Sequence, residues 1–217
     1  MATKRFLFIF SMSFLLVTLG CSTTKNQTAK VNKNFDDQQL VMILNANNNT
    51  PMRVFKINNV QDSLLLRKQS EDVVIIPNDT TLKHFTNRLF ATVRDSLSLG
   101  VGIAAPQVGI LKNIIWVQRF DREEFPFEVY LNPKIIQYSQ KKQTRAEGCL
   151  SIPNRRETLN CRAYAILLEY ITLEGEHRTE MVEDFTAIIF QHEVDHLNGV
   201  LYIDLMDEAL KINSVSN

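Results

Sequence analysis

The chain has 217 residues, 45% of them hydrophobic, and its 24 basic side chains balance its 24 acidic ones. That length suits one ordinary domain plus further segments, and the apolar content supplies a sizeable core. With no net charge and no basic block or stripe, the sequence lacks the electrostatic footprint of a nucleic-acid-binding protein, and no internal repeat is visible.

Residues 1–21 have the layout of a bacterial export signal. Lys4 and Arg5 form a positive start, Phe6 to Leu19 is almost wholly apolar, and Gly20-Cys21 follows before polar sequence begins. A small residue directly before a cysteine predicts lipidation of Cys21, although Thr18 and Leu19 stand in the reverse of the usual order. The apolar run is shorter than the roughly 20 residues a membrane-spanning helix needs. Residues 22–51, rich in Asn, Thr, Gln and Lys, read as a flexible polar tether, with VMIL at 41–44 its only apolar run and an early strand or docking segment. The domain is expected over 52–217.

Within it, Leu82, Phe85, Leu89, Val93 and Leu97 recur in steps of three and four and predict an amphipathic helix over 80–98. Asn78, Asp79 or Thr80 can cap its start, and Gly100 lies just past its end. His84 reads as a partly exposed helix residue. Strand-like runs follow at 114–117 (IIWV), 129–133 (VYLNP) and 165–173 (AILLEYITL), the last ending in a Glu174-Gly175 turn with His177 facing solvent on the return strand. A second helix is predicted from about Glu183 to Leu197, with Asn198-Gly199 as its stop. This order of elements implies an α+β domain, mostly antiparallel strands around one central helix.

That helix carries QHEVDHLNG at 191–199. Phe185, Ile188, Ile189, His192 and His196 fall on one helical stripe, so both histidines point inward with the apolar residues. A buried imidazole needs partners for its ring nitrogens. Two of them one turn apart can clamp one metal ion, with Glu193 placed to reach a water on it. A lone inward histidine would read as a hydrogen-bonded core residue; the His-Glu-His pattern points to metal. One class of zinc protease takes a third histidine six residues later, where this chain has Tyr202, and the 21 residues after His196 leave little room for a ligand on a later helix. The third ligand is therefore expected upstream. Two segments stand out: EGCLS at 147–151, whose Cys149 offers a thiolate, and GVGIAAPQVG at 100–109, whose glycines admit close backbone approach and whose Gln107 can hold a carbonyl oxygen. Each alone is a weak signal.

Together, Gly100–Gln107, Glu147–Ser151 and Gln191–Gly199 resemble the three signature segments of the peptide deformylases, in their order and roughly forty-residue separations, and the likeness spans about residues 60–206, including QDSLLLRKQSEDV as a first helical turn and strand. The resemblance implies one divalent metal ion held by Cys149, His192 and His196: Fe2+ in most of the family, with Zn2+ or Ni2+ able to substitute. It implies a metal-bound water as the nucleophile on the formyl carbon of N-terminal formyl-methionine, releasing formate. Glu193 would be the general acid/base, and the Gln107 side chain and Leu150 backbone N–H the oxyanion hole. Val101, Gly102 and Gly148 would pair with an extended peptide or nascent-chain N-terminus, an apolar pocket would take the methionine side chain, and Glu147 would fix the cysteine loop through Arg162.

The chain departs from the family in places. The resemblance implies an arginine twelve residues after the metal cysteine, but position 161 is Cys and Arg162 follows, so one residue is inserted between Pro153 and Arg162 and either Arg155 or Arg156 meets the peptide. Only Asp207–Asn217 stands where many members have a long final helix. The leader implies a membrane-anchored lipoprotein outside the cytoplasm, an unusual place for the family; cytoplasmic residence is the alternative. Outside, ferrous iron oxidises, which favours zinc, and Cys161 becomes a candidate disulfide partner for Cys149. Two other readings compete: a metallo-amidase or peptidase of different acyl preference, and a catalytically silent, lipid-anchored peptide-binding relative.

Overall fold

A computed structural model describes residues 34–96 and 99–206. The leader with Cys21, the first part of the expected tether, Leu97 and residues 207–217 lie outside the described residues. Four α-helices, α1 (Asp37–Leu44), α2 (Val60–Leu66), α3 (Thr80–Val93) and α4 (Asp184–Leu197), accompany seven strands: β1 (Gly102–Ala104), β2 (Ile114–Gln118), β3 (Phe127–Tyr138), β4 (Lys142–Cys149), β5 (Ile152–Ala163), β6 (Ala165–Ile171) and β7 (His177–Glu183). Strands β1-β2-β3-β6-β7 form one sheet in that order and β4-β5 a second, and every pairing between these strands is antiparallel. This is the α+β arrangement expected from the order of elements.

The period-two alternation of β2 splits the core. Ile114 and Trp116 face a cluster with Leu82, Phe85, Leu89 and Val93 of α3, while Ile115 and Val117 face a cluster with Ile189, Phe190, Val194 and Leu197 of α4. The larger sheet is thus covered on both faces, and α4 is the central helix. Its stripe of buried apolar side chains, each contributing roughly 1.5–3 kcal/mol, fixes which way its histidines point. Among the described residues no helix is long and apolar enough to cross a membrane.

Three expectations change. First, the tether reading fails for 34–51, where the chain folds back on the domain. VMIL lies in α1, neither strand nor linker. Asp36 caps the helix in a capping box with Gln39, and Phe35 and Ile43 are buried. Buried Arg88 of α3 donates to the carbonyls of Met42 (2.8 Å), Ile43 (2.9 Å) and Thr50 (3.1 Å) and to Asn45 Oδ1 (2.7 Å), satisfying carbonyls that the end of α1 would otherwise leave unpaired. Second, α3 starts at the expected Asp79 cap but ends at Val93. Leu99 takes a positive φ of 42°, which a helix does not admit, and Gly100 N–H closes on the Val93 carbonyl at 3.1 Å. Third, β4 and β5 form a hairpin as long as any in the molecule, where the sequence signals only the EGCLS loop.

That hairpin also removes the disulfide expectation. Gly148 faces Arg156 and Gln143 faces Arg162, so Cys161 lies beside the far end of β4, about five residues or roughly 16 Å of strand from Cys149. A disulfide tolerates a Cα separation of only about 7 Å, and both cysteines are free. The register is irregular at two places between Pro153 and Arg162: Gly148 to Cys149 is one step on β4 but Arg156 to Ile152 four on β5, and Gln143 to Arg145 is two steps on β4 but Arg162 to Leu159 three on β5, a bulge at Asn160-Cys161.

Candidate metal centre and active site

Helix α4 delivers His192 and His196 from one face, and the end of β4 delivers Cys149. The ligand atoms of the three residues lie within 4.8 Å of one another, the one such group of His, Cys, Asp and Glu side chains found among the described residues. Cys149 Sγ is 3.1 Å from His196 Nε2. His192 turns Nδ1 to Glu147 Oε2 at 2.8 Å, which fixes the ring and leaves Nε2 for the pocket. The two imidazole centroids are 5.1 Å apart. A thiol sulfur and two imidazoles converging on one partly buried point, one ring already oriented from behind, match the donor set of a catalytic metal site with its fourth position open.

The supports of this centre run outward in a chain of charge. Arg162 grips Glu147 with two bonds, Nε to Oε1 at 2.8 Å and Nη2 to Oε2 at 2.9 Å, and reaches Asp195 Oδ2 at 2.6 Å. Arg162 reaches this position from β5, directly after the bulge at Asn160-Cys161 opposite Gln143–Arg145. Burial alone would raise Glu147, but the bonds from His192 and Arg162 outweigh it and hold its carboxyl at about 2. Asp195 sits one residue from His196, and the sequence reading gives it no place in this chain; its polar company on an inward helix is the available signal. Burial, reinforced by nearby positive groups, keeps His196 well below the ordinary histidine range, so it is neutral as a ligand must be. For His192, burial is outweighed by the nearby Cys149 sulfur and the bond to Glu147, which push it well above that range. A proton there and a cation in the pocket are alternatives.

Glu193 is buried on the adjoining face of α4, with Oε2 making no hydrogen bond. Desolvation lifts its carboxyl to about 7 against the opposing pull of His192. Gly102 of β1 lies directly against it: a Cβ there would run into the carboxylate and come within 2.8 Å of Ile189 Cγ2. The residue must be glycine for Glu193 to occupy this place.

Gln107 is held in a turn of 3-10 helix over Ala105–Val108. Its Oε1 accepts from Ala104 N–H at 2.8 Å, which fixes the amide so that Nε2 faces Ser151 Oγ (3.3 Å) and Cys149 Sγ (3.5 Å). Ser151, fully buried, is a partner that the sequence motif alone does not assign. Among the described residues no group accepts a hydrogen bond from Leu150 N–H, in the turn between β4 and β5. Val101 and Gly102 lie at β1, an edge strand of the larger sheet, and Gly148 is exposed on β4. Both strands therefore present an unpaired edge. Arg156 packs its side chain against Gly148, a Cβ at which would sit 3.2 Å from Arg156 Cγ. Arg155 instead pairs with Glu157 at 2.8 Å. Tyr202, at the place where another metalloprotease class carries its third histidine, stacks on His192 at 5.9 Å and donates to the Arg155 carbonyl at 3.1 Å. It walls the pocket. His84 bonds the Ala46 carbonyl at 3.1 Å and His177 is exposed on β7, both away from this centre.

The arrangement is shared with known proteins. A family model described as polypeptide deformylase matches residues 54–211. The peptide deformylase of Desulforudis audaxviator is 39% identical over 159 residues, covering 70% of this chain and 94% of that protein. The peptide deformylase of Finegoldia magna is 37% identical, covering 67% and 85%. Among solved structures, a class I type b peptide deformylase from Acinetobacter baumannii with Met-Ala-Ser bound is 35% identical with a TM-score of 0.64, covering 72% of this chain and 98% of that one. The peptide deformylase of Thermotoga maritima is 32% identical with a TM-score of 0.62, covering 71% and 96%. With its metal-ligand cluster, its Gln107 turn and its long match to these proteins in hand, the chain belongs to the polypeptide deformylase family.

Proposed function

We propose that this pocket removes the formyl group from the N-terminal formyl-methionine of peptides or nascent chains and releases formate. Peptide deformylation is the activity of the family, and the relative crystallised with Met-Ala-Ser holds a peptide of the corresponding class. The observation that carries the reading for this chain is the convergence of Cys149, His192 and His196 beside a buried carboxylate with a free oxygen and an oriented amide. In the proposed assignment the three residues hold one divalent ion: Fe2+ by family likeness, or Zn2+ or Ni2+. When bound, the ion acts as a Lewis acid that makes water acidic enough to yield hydroxide near neutral pH.

The chain's own residues do the rest. Glu193 takes the proton of the attacking water on its free Oε2 and passes it to the amine nitrogen as the C–N bond breaks. Gln107 Nε2 and Leu150 N–H donate to the developing oxyanion. Ala104 holds the Gln107 amide in place, its loose 3.5 Å contact with Cys149 Sγ is one the oxyanion can replace, and Leu150 N–H has no acceptor among the described residues. The free edges of β1 at Gly102, just after Val101, and of β4 at Gly148 take the peptide as an added strand, with Arg156 beside Gly148 as the arginine at its carbonyls. Formate release from formyl-Met-Ala-Ser, measured against acetate release from acetyl-Met-Ala-Ser, tests the reading. Strong preference for the formyl peptide is expected; equal rates would overturn it, and a metal-loaded protein that releases neither product would favour a silent peptide-binding relative.

The reading also covers location. The leader's positive start, apolar run and Gly20-Cys21 support export and lipidation at Cys21, which would hold the enzyme on a membrane outside the cytoplasm, acting on peptides there. Radiolabelled palmitate incorporated into the membrane fraction and lost in Cys21→Ser is the expected result. A soluble cytoplasmic protein with Met1 retained would refute it.

A further inference from the structure

The family match begins at residue 54, yet the chain is already folded from residue 34, and this additional segment leads to the back of the Gln107 turn. The turn is small. Ala105–Val108 makes one 3-10 turn closed by Gly109 N–H on the Pro106 carbonyl (3.0 Å) and Ile110 N–H on the Ala105 carbonyl (3.2 Å). A single 3-10 turn holds its shape poorly by itself. Its outer side is braced from the N-terminal direction. Phe55 N–H donates to the Gln107 carbonyl at 2.7 Å, and two residues on, Ile57 N–H donates to the Ser151 carbonyl at 3.0 Å. The same strap therefore holds the residue that carries the oxyanion amide and the residue that receives it. Gly109, at φ 85°, is pressed against this strap: a Cβ there would stand 2.5 Å from Phe55 Cζ and 2.9 Å from Met42 Cε.

Met42 is in α1, and α1 is secured by Arg88, whose buried guanidinium has, among the described residues, only oxygen atoms of 42–51 as hydrogen-bond partners and no carboxylate. Met52 N–H is tied to Thr92 Oγ1 at 2.8 Å one turn further along α3. Arg88 thus holds the end of α1, and Met42 of α1 and Phe55 of the strap both lie beside Gly109, directly after the Gln107 turn.

We infer that residues 34–53 are a positioning element of the active site, with Met42 and Arg88 as positioning residues that act through the Gln107 turn. This rests on the reading of Gln107 as an oxyanion donor. Loss of the brace lets the turn drift by a fraction of an ångström. Misplacement on that scale lowers turnover while leaving substrate affinity to the peptide-binding edges.

A double-mutant cycle in the full-length, metal-loaded protein tests it. Met42→Ala and Arg88→Met are each made in wild type and in Gln107→Ala, and kcat, KM and bound metal are measured with formyl-Met-Ala-Ser. In wild type each is expected to lower kcat about tenfold with KM and metal content unchanged, and Met42→Leu to restore it. In Gln107→Ala neither should lower kcat further. Equal fractional losses in both backgrounds, or an undiminished kcat in Met42→Ala, would overturn the inference while leaving the Gln107 assignment standing. A Gln107→Ala enzyme with undiminished kcat would instead overturn that assignment, and the inference with it. If Arg88→Met does not fold, the Met42 cycle decides alone.

Discussion

Helices α1 and α4 are built from similar means and serve the molecule in opposite ways. Helix α4 has 14 residues, ten of them buried, and carries His192 and His196 on a stripe fixed by the core with Glu193 on the adjoining face. Helix α1 has eight residues, one of them buried, and owes its place to a capping box and to an arginine from another helix. The contrast separates what a site needs into two kinds of support. The proposed ligands His192 and His196 and the proposed proton carrier Glu193 sit where packing permits only one geometry. The Gln107 amide, the proposed oxyanion donor, sits on a slight turn whose geometry is imposed from outside. Substitutions in the first kind should abolish function outright, and those in the second should tune it.

The largest effects are expected at the centre. Cys149→Ala removes the sulfur of a three-residue donor set, and the purified protein should lose nearly all bound metal and all formate release. Glu193→Ala should be as silent in turnover, a fall of about 10²–10⁴ in kcat, yet keep its metal, since Glu193 is not among the converging donors. Metal analysis beside the activity assay separates the two; a metal-free Glu193→Ala protein would contradict the division of roles.

Glu147→Gln is next. It breaks the charge-assisted bond that orients His192 and strips Arg162 of its bidentate partner. Outer partners of this kind are worth about 10–100-fold in metal affinity or activity, so weaker metal retention in a chelator competition is expected. The carboxyl is held at about 2 in the folded protein against an ordinary 4.5. Its contribution to stability is therefore complete above about 4.5 and lost as pH falls through 2. Between those limits the metal-free wild type should lose stability more steeply than metal-free Glu147→Gln, as followed by denaturant unfolding at stepped pH.

The two regions also differ in how far the sequence discloses them. Helix α4 is legible because histidine and glutamate are expensive to bury, so their fall on an apolar stripe is informative in the sequence by itself. The Cys149 loop and the Gly100–Gln107 segment are readable only in combination, through resemblance. Residues 34–51 read as a tether because Asn, Thr and Gln dominate them, and composition outweighs a local signal that is present: Asp36 three residues before Gln39, then VMIL, is a capping box ahead of an apolar run. Arg88 gives no signal at all, since a helix arginine is ordinarily a solvated face residue, and only the folded chain brings the end of α1 to it. The extra residue between Pro153 and Arg162 is visible as a count, but the bulge at Asn160-Cys161 and the packing of Arg156 against Gly148 need the strand register.

The smallest effect sharpens the comparison most directly, because the same substitution can be made in two helices. Asp36 and Asp79 are both N-caps, accepting from Gln39 N–H and from Thr81 and Leu82 N–H respectively. Replacing such a cap by alanine costs about 0.5–2 kcal/mol. Helix α3 has seven buried residues and shares the core with β1 and β2, so the cost of Asp79→Ala should appear in global unfolding, as a lower denaturant midpoint. Helix α1 contributes one buried residue, and its cap should matter only locally. Asp36→Ala is expected to leave the midpoint within about 0.5 kcal/mol of wild type while hydrogen exchange at the amides of 40–45 speeds up. A global loss in Asp36→Ala as large as in Asp79→Ala would mean that the N-terminal segment folds with the core as one unit and is not an added brace.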